Sequence, residues 1–177
     1  YKVKKKGKKV ESDMRVRLLG SGTILREVRQ AAQTLREDFE VAVDVWSVTS
    51  FNELRREALA ITRDNMLHPG KKSVVPFVTR QLAMQQGPVI ATTDYMKAYS
   101  DQIREYVPDS YRVLGTDGFG RSDTREKLRN FFEVDRYYVA VTALAALAKE
   151  GEIKQEQVLE AMRKYGIDRN KPNPVLS

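Results

Sequence analysis

The single histidine and the absence of cysteine limit the chemistry that this sequence can support. His68 is the only histidine among 177 residues, and there is no cysteine. A Ser-His-Asp triad could use only His68, whereas multi-histidine metal clusters, thiolate zinc sites, cysteine nucleophiles and disulfides are excluded. His68 ends a predicted helix directly before Pro69, which favours capping or packing over general-base catalysis. We therefore predict no catalytic residue and no metal ligand.

A second candidate is the turn formed by Gly20, Ser21 and Gly22, between a predicted strand and a predicted helix. Backbone amides at the start of a helix can hold a phosphate, which makes this turn a candidate anion site. However, the dinucleotide fingerprint requires a third glycine where this sequence has Leu25, and no P-loop Gly-Lys-Ser/Thr follows. We therefore favour a tight strand-to-helix turn, and predict no cofactor-binding residue.

The loop over residues 117–123 has the most unusual composition in the chain. It follows a predicted strand, at the sheet edge where open α/β domains usually bind ligands. Its candidate residues for an interface or a ligand are Asp117, Gly118, Phe119, Gly120, Arg121 and Asp123. A structural interpretation has Asp123 cap the next helix while Arg121 forms an ion pair. An interface interpretation uses Phe119 as an apolar anchor and Arg121 as a fork-shaped donor. We rank structural and interface roles above ligand binding.

The net charge of +7 comes almost entirely from one end of the chain. Residues 1–9 contain no acid and six lysines, which are Lys2, Lys4, Lys5, Lys6, Lys8 and Lys9. Such a segment can attract phosphate without reading sequence, so we expect no nucleic-acid function. We interpret residues 1–13 as a basic linker or tail and residues 14–177 as one domain. No apolar run is long enough to span a membrane, and the lack of cysteine fits a cytoplasmic protein.

The candidate residues are carried by alternating strands and helices. Apolar, β-branched runs predict strands over 14–19, 41–46, 88–92 and 111–114. Helical spacing predicts helices over about 24–35, 50–66, 76–84, 95–106, 135–149 and 155–165, with another beginning at a capping box of Asp123 and Glu126. This order predicts an α/β domain with a mostly parallel sheet and helices on both faces, which is a three-layer arrangement.

Six distinctive motifs lie along the chain, and they are DVWSVTSF at 44–51, NMLHP at 65–69, TDYMK at 93–97, YRVLGTDGFGRSD at 111–123, FFEVD at 131–135 and NP at 173–174. These motifs resemble the closing part of homodimeric, bacterial-type pyruvate dehydrogenases. They occur in the family's order and cover the chain from about residue 15 to residue 177. The lysine-rich opening matches no motif of the family.

The resemblance implies a transketolase-like C-terminal domain. In that family the parent enzyme decarboxylates pyruvate with thiamine diphosphate and magnesium, acetylates lipoyl groups of a dihydrolipoyl acyltransferase core, and so links glycolysis to acetyl-CoA formation. The family's cofactor and catalytic motifs lie in the preceding domains, and none of them is found here. The resemblance therefore implies a catalytically inactive assembly domain that packs on the preceding domains and helps to form a homodimer.

Two alternatives stay open at this point. The first is a regulatory or partner-docking module that uses the 117–123 loop or the lysine tail to bind an acidic partner or an anionic ligand. The second is a domain that binds a small molecule in its own right. A closed pocket near Gly22 and Gly118 would favour the small-molecule domain, whereas an exposed apolar surface would favour assembly.

Overall fold

The structure is a computed structural model that describes residues 2–3 and 13–177. The lysines from position 4 to position 9, and with them most of the predicted tail, lie outside the described residues. Lys2 and Val3 lie against the edge of the sheet, where the Val3 amide donates to the Val45 carbonyl at 2.7 Å. Among the described residues, the helices are too short or too polar to cross a membrane.

The core of the domain is a four-stranded parallel sheet. Its strands are β1 (Arg15–Gly20), β2 (Ala42–Ser47), β3 (Val89–Thr92) and β4 (Tyr111–Leu114). Their spatial order is β2-β1-β3-β4, so the chain reverses its direction of winding between β2 and β3. All four predicted strands are confirmed within one or two residues. Their apolar, β-branched composition suits strands covered on both faces.

Seven α-helices connect and cover the described strands. Their bounds are α1 (Leu25–Phe39), α2 (Phe51–Leu67), α3 (Phe77–Leu82), α4 (Lys97–Asp101), α5 (Arg125–Phe131), α6 (Arg136–Lys149) and α7 (Gln155–Lys164). As the capping box predicts, the Ser50 side chain caps α2 by accepting from the Glu53 amide at 3.2 Å. Asp135 caps α6 by accepting from the amides of Tyr137 and Tyr138.

Two hydrophobic clusters place the helices on opposite faces of the sheet. One cluster joins α1, α6 and α7 to side chains such as Val16, Leu18 and Ile90. The other joins α2, α3 and the segment before β4 to side chains such as Leu19 and Ala91. Because neighbouring residues of a strand point to opposite faces, each strand supplies both clusters. The predicted three-layer α/β architecture is therefore confirmed.

Two local predictions are wrong. The predicted helix over 95–106 is interrupted, because α4 ends at Asp101 and only a 3-10 turn, Arg104–Tyr106, follows. The cap of α5 is Thr124 rather than Asp123, since the Thr124 hydroxyl accepts from the Lys127 amide. Asp123 instead accepts from the Thr124 amide at 2.7 Å, which fixes the turn just before the helix.

A fully buried arginine fixes the amino edge of the sheet. Arg17 of β1 donates to the Leu82 carbonyl at 2.6 Å and to the Gly87 carbonyl at 3.1 Å, and it forms an ion pair with Asp109. A buried cation is tolerated only when its donors are satisfied. Arg17 therefore holds in place the segments that lead into β3 and β4.

Candidate functional site

The carboxyl ends of β1, β3 and β4 bring the two predicted site segments to one edge of the sheet. The Ser21 hydroxyl donates to the Thr93 hydroxyl at 3.0 Å, and the Thr23 hydroxyl donates to the Asp94 carboxylate at 3.1 Å. The Thr116 hydroxyl donates to the Asp94 carbonyl at 2.8 Å. These bonds join the ends of three strands, as expected where parallel strands meet one edge.

The 20–22 turn is held tightly by the fold. A Cβ atom on Gly20 would lie 3.0 Å from the Leu25 Cα and 3.0 Å from the Val28 side chain, so only glycine fits without a shift. The Ser21 amide donates to the Thr92 carbonyl, and Gly22 adopts a positive φ of 54°. This geometry explains both glycines by close packing and turn conformation. An anion-binding role for Gly20, Ser21 and Gly22 stays a prediction.

The first half of the 117–123 loop is fixed by neighbouring segments. The Asp117 carboxylate accepts from the Lys97 amide at 3.3 Å. Gly118 has a φ of 113°, and a Cβ atom there would lie 2.4 Å from the Pro174 carbonyl oxygen. The C-terminal segment therefore packs directly on this loop, which is why Gly118 tolerates no side chain.

The second half of the loop faces outward. Phe119 is 79% exposed, and a Cβ atom on Gly120 would meet no atom within 4 Å. Arg121 stacks over the Phe131 ring at 4.1 Å and forms no ion pair with a described residue, contrary to the structural interpretation. Phe119 and Gly120 are thus free to contact another surface, while Arg121 contributes a cation–π contact.

One group of exposed apolar side chains lies at this same edge, and another lies along α2 and the segment that leads into α3. We define the carboxyl-edge surface as the exposed large apolar residues that follow β3, follow β4 or belong to the C-terminal segment. Its members are Tyr95, Met96, Tyr99, Phe119, Val175 and Leu176. The three segments contact one another through the Thr116 amide, which donates to the Tyr95 carbonyl, and through Gly118 and Pro174. Because these exposed apolar groups share one edge of the sheet, they form a candidate interaction surface.

A cleft lies between the 117–123 loop, the 20–22 turn and α5. It has a volume of about 620 Å³ and is open to solvent. Its polar lining includes Asp94, Thr116, Arg121, Asp123 and Arg129. This part of the described chain therefore forms an open cleft rather than the closed pocket that is expected of a small-molecule domain.

A buried carboxylate beside this cleft escaped the sequence analysis. Glu27 of α1 is only 3% exposed, and its carboxylate accepts from Arg129 at 2.9 Å and from the Arg136 side chain at 3.0 Å. The network ties α1 to α5 and to the start of α6. The sequence does contain a signal for this buried acid. Glu27 lies between Ile24 and Ala31 on the apolar face of α1, where a charged side chain is tolerated only when it is paired.

His68 lies away from these contacts at the end of α2. Its Nδ1 atom lies 3.0 Å from both the Asp64 carbonyl oxygen and the Asp64 carboxylate, and its side chain is exposed. Among the described residues, no group of three or more histidine or acidic side chains is placed to hold a metal ion. Asp94 and Asp117 are already engaged by Thr23 and by the Lys97 amide.

Known proteins with similar sequences identify the family to which this chain is related. A family model described as "Transketolase-like TK C-terminal domain" matches residues 1–135. The chain is 60% identical over 168 residues to the "Pyruvate dehydrogenase E1 component" of Pseudomonas aeruginosa, covering 94% of this chain and 19% of the relative. It is 54% identical over 164 residues to the protein of that name from Escherichia coli, covering 92% and 18%.

The solved structures agree at the level of the fold. A split-gene transketolase, described as an inactive beta4 tetramer, matches with a TM-score of 0.52 at 14% identity, covering 76% of this chain and 40% of that one. Transketolase from Leishmania mexicana matches with a TM-score of 0.50 at 18% identity, covering 77% and 17%. The chain spans about one fifth of the length of the curated relatives that it matches.

Proposed function

Because this chain belongs to the transketolase-like C-terminal domain family, we propose that it is the assembly domain that closes a pyruvate dehydrogenase. The parent enzyme would decarboxylate pyruvate and pass the acetyl group to lipoyl groups of a dihydrolipoyl acyltransferase core in the cytoplasm. The relatives that share 54–60% of their matched residues with this chain carry the name of that enzyme. The domain itself would be catalytically inactive.

The observation that carries the assembly role is the carboxyl-edge surface. Its aromatic and aliphatic side chains are exposed, and all of them follow β3, follow β4 or belong to the C-terminal segment. Burying such groups stabilises a contact by about 25 cal/mol per Å² of apolar area removed from water. The preceding domains of the parent, or its second subunit, would supply the covering surface. Phe119, as the most exposed aromatic residue among those described, would be its anchor.

The residues of the carboxyl edge do not fit a magnesium or thiamine diphosphate site. Magnesium prefers oxygen ligands in octahedral geometry, but no group of three or more acidic side chains among the described residues is placed to hold a metal ion. We therefore assign both cofactors to the preceding domains of the parent, and derive no catalytic step from this chain.

Replacing Phe119 with alanine in two contexts tests the assembly role. In the 177-residue chain, Phe119→Ala should change the free energy of unfolding by less than about 0.5 kcal/mol, since the side chain is exposed. In the full-length parent, the same change should weaken self-association by about tenfold or more, as is typical of an aromatic anchor. Denaturant unfolding measures the first quantity, and sedimentation velocity over a dilution series measures the second.

Met84→Ala is the matched control. Met84 is also strongly exposed, but it precedes β3 and so lies at the amino edge of the sheet. Met84→Ala should leave both the stability of the chain and the assembly of the parent unchanged. A loss of about 3–5 kcal/mol in the chain on Phe119→Ala, with normal assembly of the parent, would show that Phe119 is a core residue and refute the proposal.

A further inference from the structure

Five arginine side chains line a second cleft, on the outer side of α1. Arg26, Arg29 and Arg36 come from α1, while Arg125 and Arg129 come from α5. The three α1 arginines are spaced so that they follow one face of the helix. The cleft has a volume of about 590 Å³ and, like the cleft beside the 117–123 loop, is open to solvent, so its charge rather than its enclosure distinguishes it.

Among the residues that the structure describes, little of the charge of this cleft is compensated. None of the described side chains that line it is a carboxylate. Arg129 is bound to Glu27, but Arg26, Arg29 and Arg125 form no hydrogen bond or ion pair with a described residue. Like charges held close together repel one another, so a concentration of unpaired arginines costs stability unless an anion binds there.

Arg36 adds a partly buried cation to the same wall. Burial lowers the pKa of its guanidinium, with Asp44 acting in the opposite direction. The group donates to the Val43 carbonyl at 2.8 Å, which leaves further donors of its fork available. A bound anion would offset the desolvation of Arg36 while it neutralised the exposed arginines beside it.

The floor of the cleft is suited to an organic ligand rather than to a bare ion. Leu25, Ala32 and Val45 provide an apolar surface between the two rows of arginines. The side-chain oxygen of Gln30 is buried at the cleft and accepts no hydrogen bond. The protein itself covers this oxygen, so a ligand donor would reach it only after the Gln30 side chain rotates toward the cleft.

From these contacts we infer that the cleft binds a ligand that carries a diphosphate group esterified to an organic moiety, such as a nucleoside diphosphate. The planar fork of arginine matches phosphate oxygens in pairs, and arginines on both walls suit two linked phosphates better than one. The organic moiety would lie on the apolar lining of the cleft. The cleft is lined by none of the apolar residues that define the carboxyl-edge surface, and the inference does not depend on the assembly role.

Calorimetric titration of the 177-residue chain tests this inference, with ADP, pyrophosphate and adenosine as the probes. The buffer contains EDTA, so that binding which requires magnesium makes no contribution. We expect ADP to bind with a Kd below about 1 mM, pyrophosphate to bind more weakly, and adenosine not to bind. Raising the salt concentration should weaken the binding of ADP, because the contact is electrostatic.

The decisive variant is the double change Arg26→Gln and Arg29→Gln. Both side chains are exposed, and glutamine is as good a helix former as arginine, so the fold should be retained. The variant should bind ADP at least about tenfold more weakly, since each lost charge-assisted bond normally weakens binding by about that factor or more. Arg63→Gln is the control, because Arg63 is an exposed arginine of α2, on the opposite face of the sheet.

Three results would overturn the inference. The first is the absence of saturable ADP binding below about 1 mM. The second is an equal loss of binding in the Arg63→Gln control and in the double variant. The third is a glutamate-rich peptide that displaces ADP at lower concentration than ADP itself binds, which would identify the cleft as a protein-docking surface.

Discussion

Replacing Glu27 with glutamine should strongly destabilise the domain. The Glu27 carboxylate accepts four hydrogen bonds, from Arg129 Nη1 at 2.9 Å, Arg136 Nε at 3.0 Å, Arg136 Nη2 at 3.3 Å and the Arg136 amide at 3.3 Å. Glutamine has nearly the same shape, but it is neutral and turns an NH₂ donor toward two guanidinium donors. The change therefore removes the one negative charge that both arginines share.

The burial of the three groups sets the size of the effect. Removing one partner of a buried ion pair usually costs about 3–5 kcal/mol, because the other charge stays buried without compensation. Here the side chain of Glu27 is 4% exposed and that of Arg129 is 15% exposed, whereas that of Arg136 is 35% exposed and can be rehydrated. We therefore expect Glu27→Gln to lower the free energy of unfolding by about 3 kcal/mol, at the lower end of that range.

Urea unfolding followed by circular dichroism measures this loss. The midpoint should fall while the slope with urea concentration stays unchanged, since the native fold exposes the same surface on unfolding. Glu37→Gln is the control, because Glu37 is an exposed acid of α1 that, within the described part of the chain, accepts only from Gln33, at 2.9 Å. It should change the stability by less than about 0.5 kcal/mol. A loss below about 1 kcal/mol for Glu27→Gln would refute the idea that this network joins α1, α5 and α6.

Two further predictions concern the loop and the helix surface. Gly118→Ala should displace the C-terminal segment and expose it to proteolysis, since the new Cβ would lie 2.4 Å from the Pro174 carbonyl oxygen. Gly120→Ala should leave the rate of proteolysis unchanged, because the space around Gly120 is open. Equal digestion of the two variants would contradict this prediction. The hydrogen bond from the Tyr165 hydroxyl lowers the pKa of Asp38. This hydrogen bond should therefore stabilise the folded domain above about pH 4, and the stabilisation should be lost as the pH falls through the lowered pKa of Asp38. Tyr165→Phe should therefore reduce the unfolding midpoint at pH 7 more than at pH 3, and a difference that is independent of pH would contradict this.

Local sequence pattern predicted the elements because their signals are local. Each of the four strands is an apolar run bounded by a turn, and the caps at Ser50 and Asp135 lie within three residues of the amides that they accept from. The predictions failed where tertiary contacts determine the local conformation. The helix over 95–106 ends early, where the Arg104 guanidinium binds both Asp101 and the Tyr111 carbonyl.

The candidate site was predictable only in part. The sequence identified the 117–123 loop and the 20–22 turn, because glycine pairs after a strand are a local signal. It did not reveal that Phe119 is exposed or that Arg121 stacks on Phe131. Both facts depend on where the C-terminal segment and α5 pack. The residue pattern of the loop itself therefore predicts neither of them.

By itself, the sequence determined the order of strands and helices, the α/β class and the resemblance to a family, since each depends on residues close together along the chain. Only the tertiary structure decided the strand order β2-β1-β3-β4, the pairing of Glu27 with arginines more than 100 positions away, and the convergence of two rows of arginines on one cleft. These features arise when distant segments pack against one another, so the spacing of residues along the chain carries no signal for them.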